Sequence, residues 1–313
     1  MKAVVADANA TGHLTIGEAP EPIADSNEVL IRVTEFSLNR GEVRRAETAN
    51  AGTQIGWDTA GVVEQAARDG SGPPQGARVV GFSRRMQGWA EKVALPSRDV
   101  AAIPPEISDV DAATLPVAAL TALYALERCE RLLASKVLIT GASGGVGHFA
   151  CQLAVLMGAE VTALLRRPDH QAMVEATGAT VVVSSDGSGL ETIGPFRAIL
   201  DSVGGDQLGR LLARLDAGGR AVLYGVSAGD TTALPVRELM FTGDGRVDGF
   251  HLYRESEFES AQRGLERLLS LMVAGRLKTQ VSVTGDWSDV GKVAAQLIAR
   301  DYPGKAVLNV SQE

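Results

Sequence analysis

In the middle of this chain, short apolar runs alternate with segments of helical periodicity. Residues 136–140 and 160–165 are short, apolar, β-branched runs, which are typical of buried parallel strands. Between them Phe149 and Leu153 recur at helical spacing, and Gly158 stands where a helix C-cap is expected. A strand–helix–strand segment of about 30 residues predicts one parallel βαβ unit.

The alternation continues to the end of the chain and predicts further helices and strands. Helices are expected over 169–176, 207–215, 256–275 and 289–299, and strands over 180–183, 197–201, 221–225, 246–250, 281–283 and 306–310. Strands that alternate with helices indicate an α/β fold with a doubly wound parallel sheet.

The first 110 residues have a different pattern. Short apolar runs are separated by Gly, Pro, Asp and Ser, and no periodic run of helix length is evident, so a mostly β domain is expected. Its predicted strands are 2–6, 28–36, 60–65, 77–82 and 90–95. Pro104 and Pro105 mark a rigid boundary, after which a helical pattern begins at Asp109 and an apolar stripe covers 120–126.

Composition and net charge limit the kinds of partner that this chain is expected to bind. The chain has 313 residues and a net charge of −8, which argues against nucleic acid or an anionic membrane as the main partner. No secretory signal and no membrane-spanning run is evident, so a cytoplasmic protein is expected. Cys129 and Cys151 are expected to be buried in helices in a reduced compartment, and no Cys/His spacing indicates a zinc site.

The turn between the first strand and helix of the βαβ unit is rich in glycine. It reads Gly141-x-x-Gly144-x-x-Gly147, with Gly145 inside it. Missing Cβ atoms let the pyrophosphate of a dinucleotide approach a helix N-terminus closely. The alternative is a plain glycine-rich turn, but the register between a strand and a helix favours a dinucleotide site.

Two arginines indicate which dinucleotide binds. Arg166 and Arg167 stand about 20 residues after the loop, where an acid would bind the ribose of NAD. A guanidinium matches a 2′-phosphate instead, so NADPH is favoured, and His170 is a candidate third contact. The alternative is that both arginines are a solvated strand end.

Short motifs along almost the whole chain occur in a recognisable order. They are residues 28–33, 37–40, 56–63, 76–80, 88–91, 112–116, 120–122, 141–147, 200–205, 218–220 and 304–308. Together they resemble the medium-chain dehydrogenase/reductase superfamily, and within it the zinc-free quinone oxidoreductase (zeta-crystallin-like) branch.

The resemblance implies a domain organisation and an activity. Residues 1–110 would form a GroES-like catalytic domain, 111–254 a Rossmann NADPH-binding domain, and 255–313 a segment that returns to the first domain. The substrate, a quinone or conjugated carbonyl compound, would lie in the cleft beside the nicotinamide. A homodimer is also implied.

The resemblance also implies the absence of zinc. Zinc-dependent relatives carry a ligand cysteine near Ser37 and a Gly-His-Glu where this chain has Gly56-Trp57-Asp58, together with a four-cysteine lobe that is missing here. Without a Lewis acid, alcohol oxidation loses its main electrostatic support, whereas hydride delivery to a quinone or enone remains feasible.

Individual cofactor contacts follow from the same resemblance. The expected cofactor-binding residues, besides the two arginines and His170, are Asn39, Thr121, Ser143, Gly144, Gly145, Val146, Ser202, Gly225, Val226, Phe250, Leu252 and Lys305.

The substrate side is less defined. Asn39 is a candidate catalytic residue, and Arg44 occupies the position where quinone oxidoreductases often have a Tyr, so it could stabilise an enolate, bind a substrate anion or simply be solvated. His251 is a candidate proton donor, with water as the alternative. An enoyl-thioester reductase, whose substrate phosphate would meet Arg40 to Arg45, and a non-catalytic NADPH-binding sensor are the other interpretations.

Overall fold

The computed structural model describes residues 1–190 and 192–311, which form two compact units. The terminal unit consists of residues 1–120 and the chain from 256 onward, and the central unit consists of residues 121–255. The first boundary follows residue 120 and not the expected 110. The intervening helical segment belongs to the terminal unit because Asp109 binds Arg78 there and the Val117 N–H donates to Asp58.

Most of the strands contain β-branched or other apolar residues, which suit a partly buried pleated surface. They are β1 (Lys2–Ala6), β2 (Leu14–Glu18), β3 (Glu28–Ser37), β4 (Asp58–Gln65), β5 (Arg78–Phe82), β6 (Lys92–Pro96), β7 (Val100–Ala102), β8 (Lys136–Thr140), β9 (Glu160–Leu165), β10 (Thr180–Val183), β11 (Phe196–Asp201), β12 (Leu215–Leu223), β13 (Arg246–Gly249), β14 (Val281–Asp286) and β15 (Lys305–Asn309).

The α-helices connect these strands and cover the sheets. They are α1 (Arg40–Thr48), α2 (Asp109–Ala113), α3 (Leu120–Cys129), α4 (Gly145–Leu156), α5 (Gln171–Glu175), α6 (Gly205–Leu212), α7 (Val236–Phe241), α8 (Leu252–Phe258), α9 (Ala261–Val273) and α10 (Val290–Ala299).

A parallel sheet forms the centre of the central unit. In the described residues its strand order is β10-β9-β8-β11-β12-β13, with parallel pairing throughout. The order reverses direction at β8, so the sheet is doubly wound, and the α/β fold class expected from the sequence is confirmed. Residues 137–140 of β8 are buried, which explains their continuous apolar run.

The terminal unit is built on a mainly antiparallel sheet. Within the described ranges its order is β14-β15-β3-β4-β5-β7, with β6 paired to β3. Its core contains Phe36 stacked on Trp89, with ring centroids 5.0 Å apart, and is closed by Trp287 from the returning segment. The last strand, β15, lies beside β3, so Lys305 comes close to the end of β3.

No periodic run of helix length is evident in the first 110 residues, yet α1 spans nine residues there. Val43 and Ala46 are its only buried apolar side chains, so the apolar signal in the sequence is weak. A capping box stabilises the helix instead: Glu42 accepts the Asn39 N–H at 2.8 Å, while the Asn39 side chain caps the first turn.

Both cysteines lie in helices, as expected. Cys129 ends α3 and Cys151 lies within α4, and both are buried thiols that form no disulfide. No helix in the described part of the chain is long and apolar enough to cross a membrane.

Candidate active site

Most of the expected cofactor residues of the central unit follow the carboxyl ends of neighbouring strands. Arg166 follows β9, the glycine loop follows β8, Ser202 follows β11, Gly225 lies just after β12, and Phe250 follows β13. These five strands are adjacent and parallel, so the residues lie along one edge of the sheet. This is the edge at which open α/β sheets bind ligands.

The glycine loop is closely packed on itself. Gly141 has a φ of 62°, and its carbonyl accepts the Gly144 N–H at 2.9 Å. A Cβ atom at Gly147 would lie 2.6 Å from the Ala142 Cα, so only glycine fits there. Ser143 and Val146 flank the start of α4, a twelve-residue helix whose first N–H groups suit an anion.

A buried aspartate, Asp201, fixes the strand ends beneath this loop. It accepts the Thr140 hydroxyl at 2.8 Å and the Gly204 N–H at 2.7 Å, and Thr140 in turn accepts the Ser202 N–H at 3.0 Å. Burial raises the pKa of Asp201, although these hydrogen bonds oppose the rise. The sequence did not identify Asp201 as a site residue, because its partner on β8 is distant in the chain.

Ser202 and Gly225 lie against each other. A Cβ at Gly225 would be 2.8 Å from the Ser202 carbonyl oxygen, and the Ser227 N–H donates to that same oxygen at 3.2 Å. Val226, which lies between Gly225 and Ser227 in the chain, is 52% exposed. The loop after β12 is therefore held close to the end of β11.

The two arginines expected at the 2′-phosphate are exposed. Arg167 lies 3.9 Å from the carboxylate of Asp169, and His170 is half-buried at the end of the same short turn. The guanidinium groups are thus accessible to a phosphate, with one carboxylate nearby that competes for Arg167.

The remaining expected residues of the central unit have mixed environments. Thr121 and Leu252 are buried. The Phe250 ring lies 5.6 Å from the guanidinium of Arg128, and the exposed His251 stacks on Tyr253 with centroids 5.1 Å apart.

In the terminal unit, Lys305 joins two other residues in a buried polar cluster. Its ammonium donates to the Leu38 carbonyl at 2.9 Å, to Asp58 at 3.1 Å and to the Asn39 side-chain oxygen. Asn39 in turn donates through its side-chain nitrogen to Asp58 at 2.8 Å. Two expected cofactor contacts, Asn39 and Lys305, are therefore hydrogen-bonded to each other.

Glu42 completes this cluster and is fully buried. Its carboxylate accepts the Asn39 N–H at 2.8 Å, the Asn39 side-chain nitrogen at 3.1 Å and the Trp57 N–H at 3.0 Å. Burial, and then the nearby charge of Asp58, raises the pKa of Glu42, while Lys305 lowers it. The Asn-x-x-Glu spacing of a capping box is the sequence signal that could have identified Glu42.

The arginines of α1 have separate roles. Arg40 donates to the carbonyls of Leu297 and Ile298 at 3.0 and 3.2 Å, near the end of α10. Burial, and then repulsion from Arg300 and Arg44, lowers the pKa of Arg40. Arg44, the candidate substrate contact, is exposed on the helix.

Known proteins are similar to this chain in sequence and in fold. The family described as "Zinc-binding dehydrogenase" matches residues 145–267. Quinone oxidoreductase from Sus scrofa is 30% identical over 254 residues, which span 77% of this chain and 76% of that protein. The chain belongs to the quinone oxidoreductase-like branch of the medium-chain dehydrogenase/reductase superfamily. It is therefore an oxidoreductase with a small-molecule substrate.

Two further relatives extend the comparison. The Spectinabilin polyketide synthase system protein NorB from Streptomyces orinoci is 34% identical over 249 residues, covering 74% of this chain but 11% of that much longer protein. The solved structure of the mycobacterial protein Rv1454c, complexed with NADPH, has the same fold, with a TM-score of 0.86 over 99% of each chain at 21% identity.

The residues at the expected zinc-ligand positions of this family do not fit zinc. Ser37 donates its hydroxyl to Asp58 at 2.5 Å, and Trp57 offers no metal-binding atom. Both cysteines are buried in the central unit, where burial raises the pKa of each thiol to about 12. Among the described residues, no group of three or more His, Cys, Asp or Glu could hold a metal ion.

Proposed function

We propose that this protein is an NADPH-dependent, zinc-independent reductase that transfers a hydride to a quinone or an α,β-unsaturated carbonyl compound. The observation that carries the proposal is the joint presence of a glycine loop at the N-terminus of α4 and two exposed arginines at the end of the next strand. Bound NADPH would supply the hydride.

The binding roles follow from the chemistry of each group. The N–H groups at the start of α4 would bind the pyrophosphate, and Ser143 could add a hydroxyl donor. Arg166 and Arg167 would bind the 2′-phosphate by charge-assisted hydrogen bonds. Ser202, Gly225, Val226 and the Phe250 segment would border the rest of the cofactor along the same strand ends.

The substrate class is supported by the misfit of the zinc positions. Without a metal ion to polarise an alcohol oxygen, an acceptor that is already electrophilic is favoured. His251 is exposed and could deliver a proton, and water is the alternative donor. The name of the Sus scrofa relative agrees with a quinone acceptor.

Reduction of an enoyl thioester is the second candidate function. It is favoured by the similarity to the polyketide synthase protein, which covers 74% of this chain. The exposed Arg44 could bind a phosphate of coenzyme A or phosphopantetheine. Arg40 is a weaker candidate because its guanidinium already binds the end of α10.

One experiment separates these functions. NADPH consumption is measured with a panel of quinones, enones and enoyl-CoA esters, each with and without a strong zinc chelator. We expect turnover of quinones or enones that the chelator does not change. Turnover only with enoyl-CoA, reduced in an Arg44→Ser variant, would support the second function. Loss of turnover with the chelator would contradict zinc independence, and tight NADPH binding without turnover would favour a sensor.

We also propose a homodimer, as the family resemblance implies. Val236, Met240 and Phe241 of α7 are 63%, 75% and 80% exposed, and a cluster of exposed apolar side chains is typical of a subunit contact. Light scattering should give twice the chain mass of 32.7 kDa. The mass of a single chain at micromolar concentration would exclude the dimer.

A further inference from the structure

The ammonium group of Lys305 is surrounded by oxygen atoms. Its side chain is 3% exposed, and it donates to the Leu38 carbonyl, the Asn39 side-chain oxygen and the Asp58 carboxylate. An ammonium has three hydrogens, so all of them are used. This arrangement is that of a cation in an oxygen-lined site, with the cation supplied by the chain itself.

Both carboxylate oxygens of Asp58 accept hydrogen bonds. One of its oxygens accepts the Ser37 hydroxyl at 2.5 Å, Asn39 at 2.8 Å and Lys305 at 3.1 Å. The other accepts the Val117 N–H at 2.9 Å. A metal ion that bound the first of these oxygens would have to displace one of its three donors.

The charges explain why a cation is needed here. Asp58 is fully buried, and a buried carboxylate without a compensating charge costs several kcal/mol. Lys305 is the cation that contacts Asp58 directly, and it reaches Glu42 through the Asn39 amide. Ser37, Trp57 and Asp58, the expected counterparts of zinc-ligand segments, lie in or beside this cluster.

We propose that the Lys305 ammonium takes the electrostatic place of a metal ion in the terminal unit, positions Asn39 and Asp58, and excludes zinc from this site. Lys305 is thus a positioning residue. The inference explains the zinc independence of the proposed function, but it rests on the hydrogen bonds of the cluster and not on the substrate. Its tests therefore use stability and metal content, which do not depend on turnover.

The first test is chemical rescue of a lysine deletion. In Lys305→Ala, the lost ammonium leaves a hole lined by oxygens, so thermal unfolding should occur at a lower temperature. Methylammonium should restore the unfolding temperature in a saturable manner, because it binds the folded state. Tetramethylammonium, which has no N–H donor, should not. A Lys305→Ala protein that methylammonium does not stabilise would contradict the proposal.

The second test separates charge from packing. Lys305→Met keeps the apolar stem but leaves Asp58 uncompensated, so we expect unfolding roughly 10 °C below wild type. Adding Asp58→Asn should recover much of this loss, because the buried charge disappears as well. The exposed Lys292→Met is the matched control and should change little. A double variant no more stable than Lys305→Met would overturn the inference, even if Lys305→Ala fails to fold.

The third test is metal content. Wild-type protein produced with added zinc and then dialysed should contain far less than one zinc per chain. One zinc per chain that is lost in Asp58→Asn would show that a metal, and not Lys305, supplies the charge. Failure of the NADPH assays would leave all three tests unaffected.

Discussion

The Lys305 cluster of the terminal unit and the glycine-loop edge of the central unit use polar groups in opposite ways. In the cluster, donors and acceptors bind one another and are buried: Asp58 alone accepts four hydrogen bonds. At the glycine loop, Arg166 and Arg167 are exposed and the N–H groups at the start of α4 point out of the helix.

The difference separates groups that hold the fold from groups that can hold a ligand. A buried charge that lacks its partner is costly, so the cluster must be complete before any ligand arrives. An exposed guanidinium is solvated by water, so it has little such cost before a phosphate binds.

Gly147→Ala should have the largest effect. Its Cβ would be 2.6 Å from the Ala142 Cα, so the loop must shift, and the loss of hydrogen bonds from its N–H groups to a charged phosphate would weaken binding by about 100-fold. We expect NADPH affinity, measured by fluorescence titration, to fall by that order. Gly285→Ala on β14 is the control, because its Cβ would make only ordinary contacts, 3.6 Å from Leu308 and 3.8 Å from Asp289. Equal losses in the two variants would contradict the geometric explanation.

The Arg166→Ser and Arg167→Ser variants should separate the two dinucleotides. Each lost hydrogen bond between charged groups should raise the KM for NADPH by roughly 10- to 100-fold and leave the KM for NADH nearly unchanged. Steady-state kinetics with both cofactors measures this. Arg276→Ser, an exposed arginine of the terminal unit, is the control. An equal rise for both cofactors would exclude a role at the 2′-phosphate.

Glu35 on β3 should make the stability of the terminal unit depend on pH. Burial, and then the charge of Asp109, raises its pKa from 4.5 to about 7. The folded state therefore holds this proton more tightly than the unfolded state, so its stabilising contribution is lost as pH rises from about 4.5 to about 7.

Glu35→Gln should remove that loss of stability. Thermal unfolding followed across this pH range should show a flatter profile than wild type, with the variant relatively more stable at pH 8. Arg78, which binds Asp109 at 2.9 Å, remains in place in this variant. The exposed Glu106→Gln is the control, and parallel profiles for Glu35→Gln and wild type would refute the assignment.

Arg40 and Arg44 should give the smallest effects, and unequal ones. Arg40→Met removes two hydrogen bonds to the end of α10, so we expect a loss of about 1–2 kcal/mol in the free energy of unfolding. Arg44→Met, at an exposed position, should change it by less than about 0.5 kcal/mol. Denaturant unfolding compares them, and a larger loss for Arg44 would reverse the roles assigned to the two side chains.

The sequence was most informative where neighbouring residues act together. The βαβ unit around the glycine loop could be predicted because strand, turn and helix follow each other directly, and their periodicities differ. The helix α1 was missed because it has few apolar residues and depends on the Asn39 and Glu42 cap. Asp201 was missed because its partner Thr140 lies 61 residues earlier.

The doubly wound sheet, the glycine loop, the arginine pair and the family could all be predicted from the amino-acid sequence alone. Each depends on local spacing or on an ordered series of motifs. The contacts of Lys305, in contrast, depend on the tertiary fold. Lys305 lies 247 residues after Asp58 and 266 after Asn39, and no local pattern links them. Pairing of β15 with β3 brings the ammonium beside the carboxylate, and burial then makes that contact necessary.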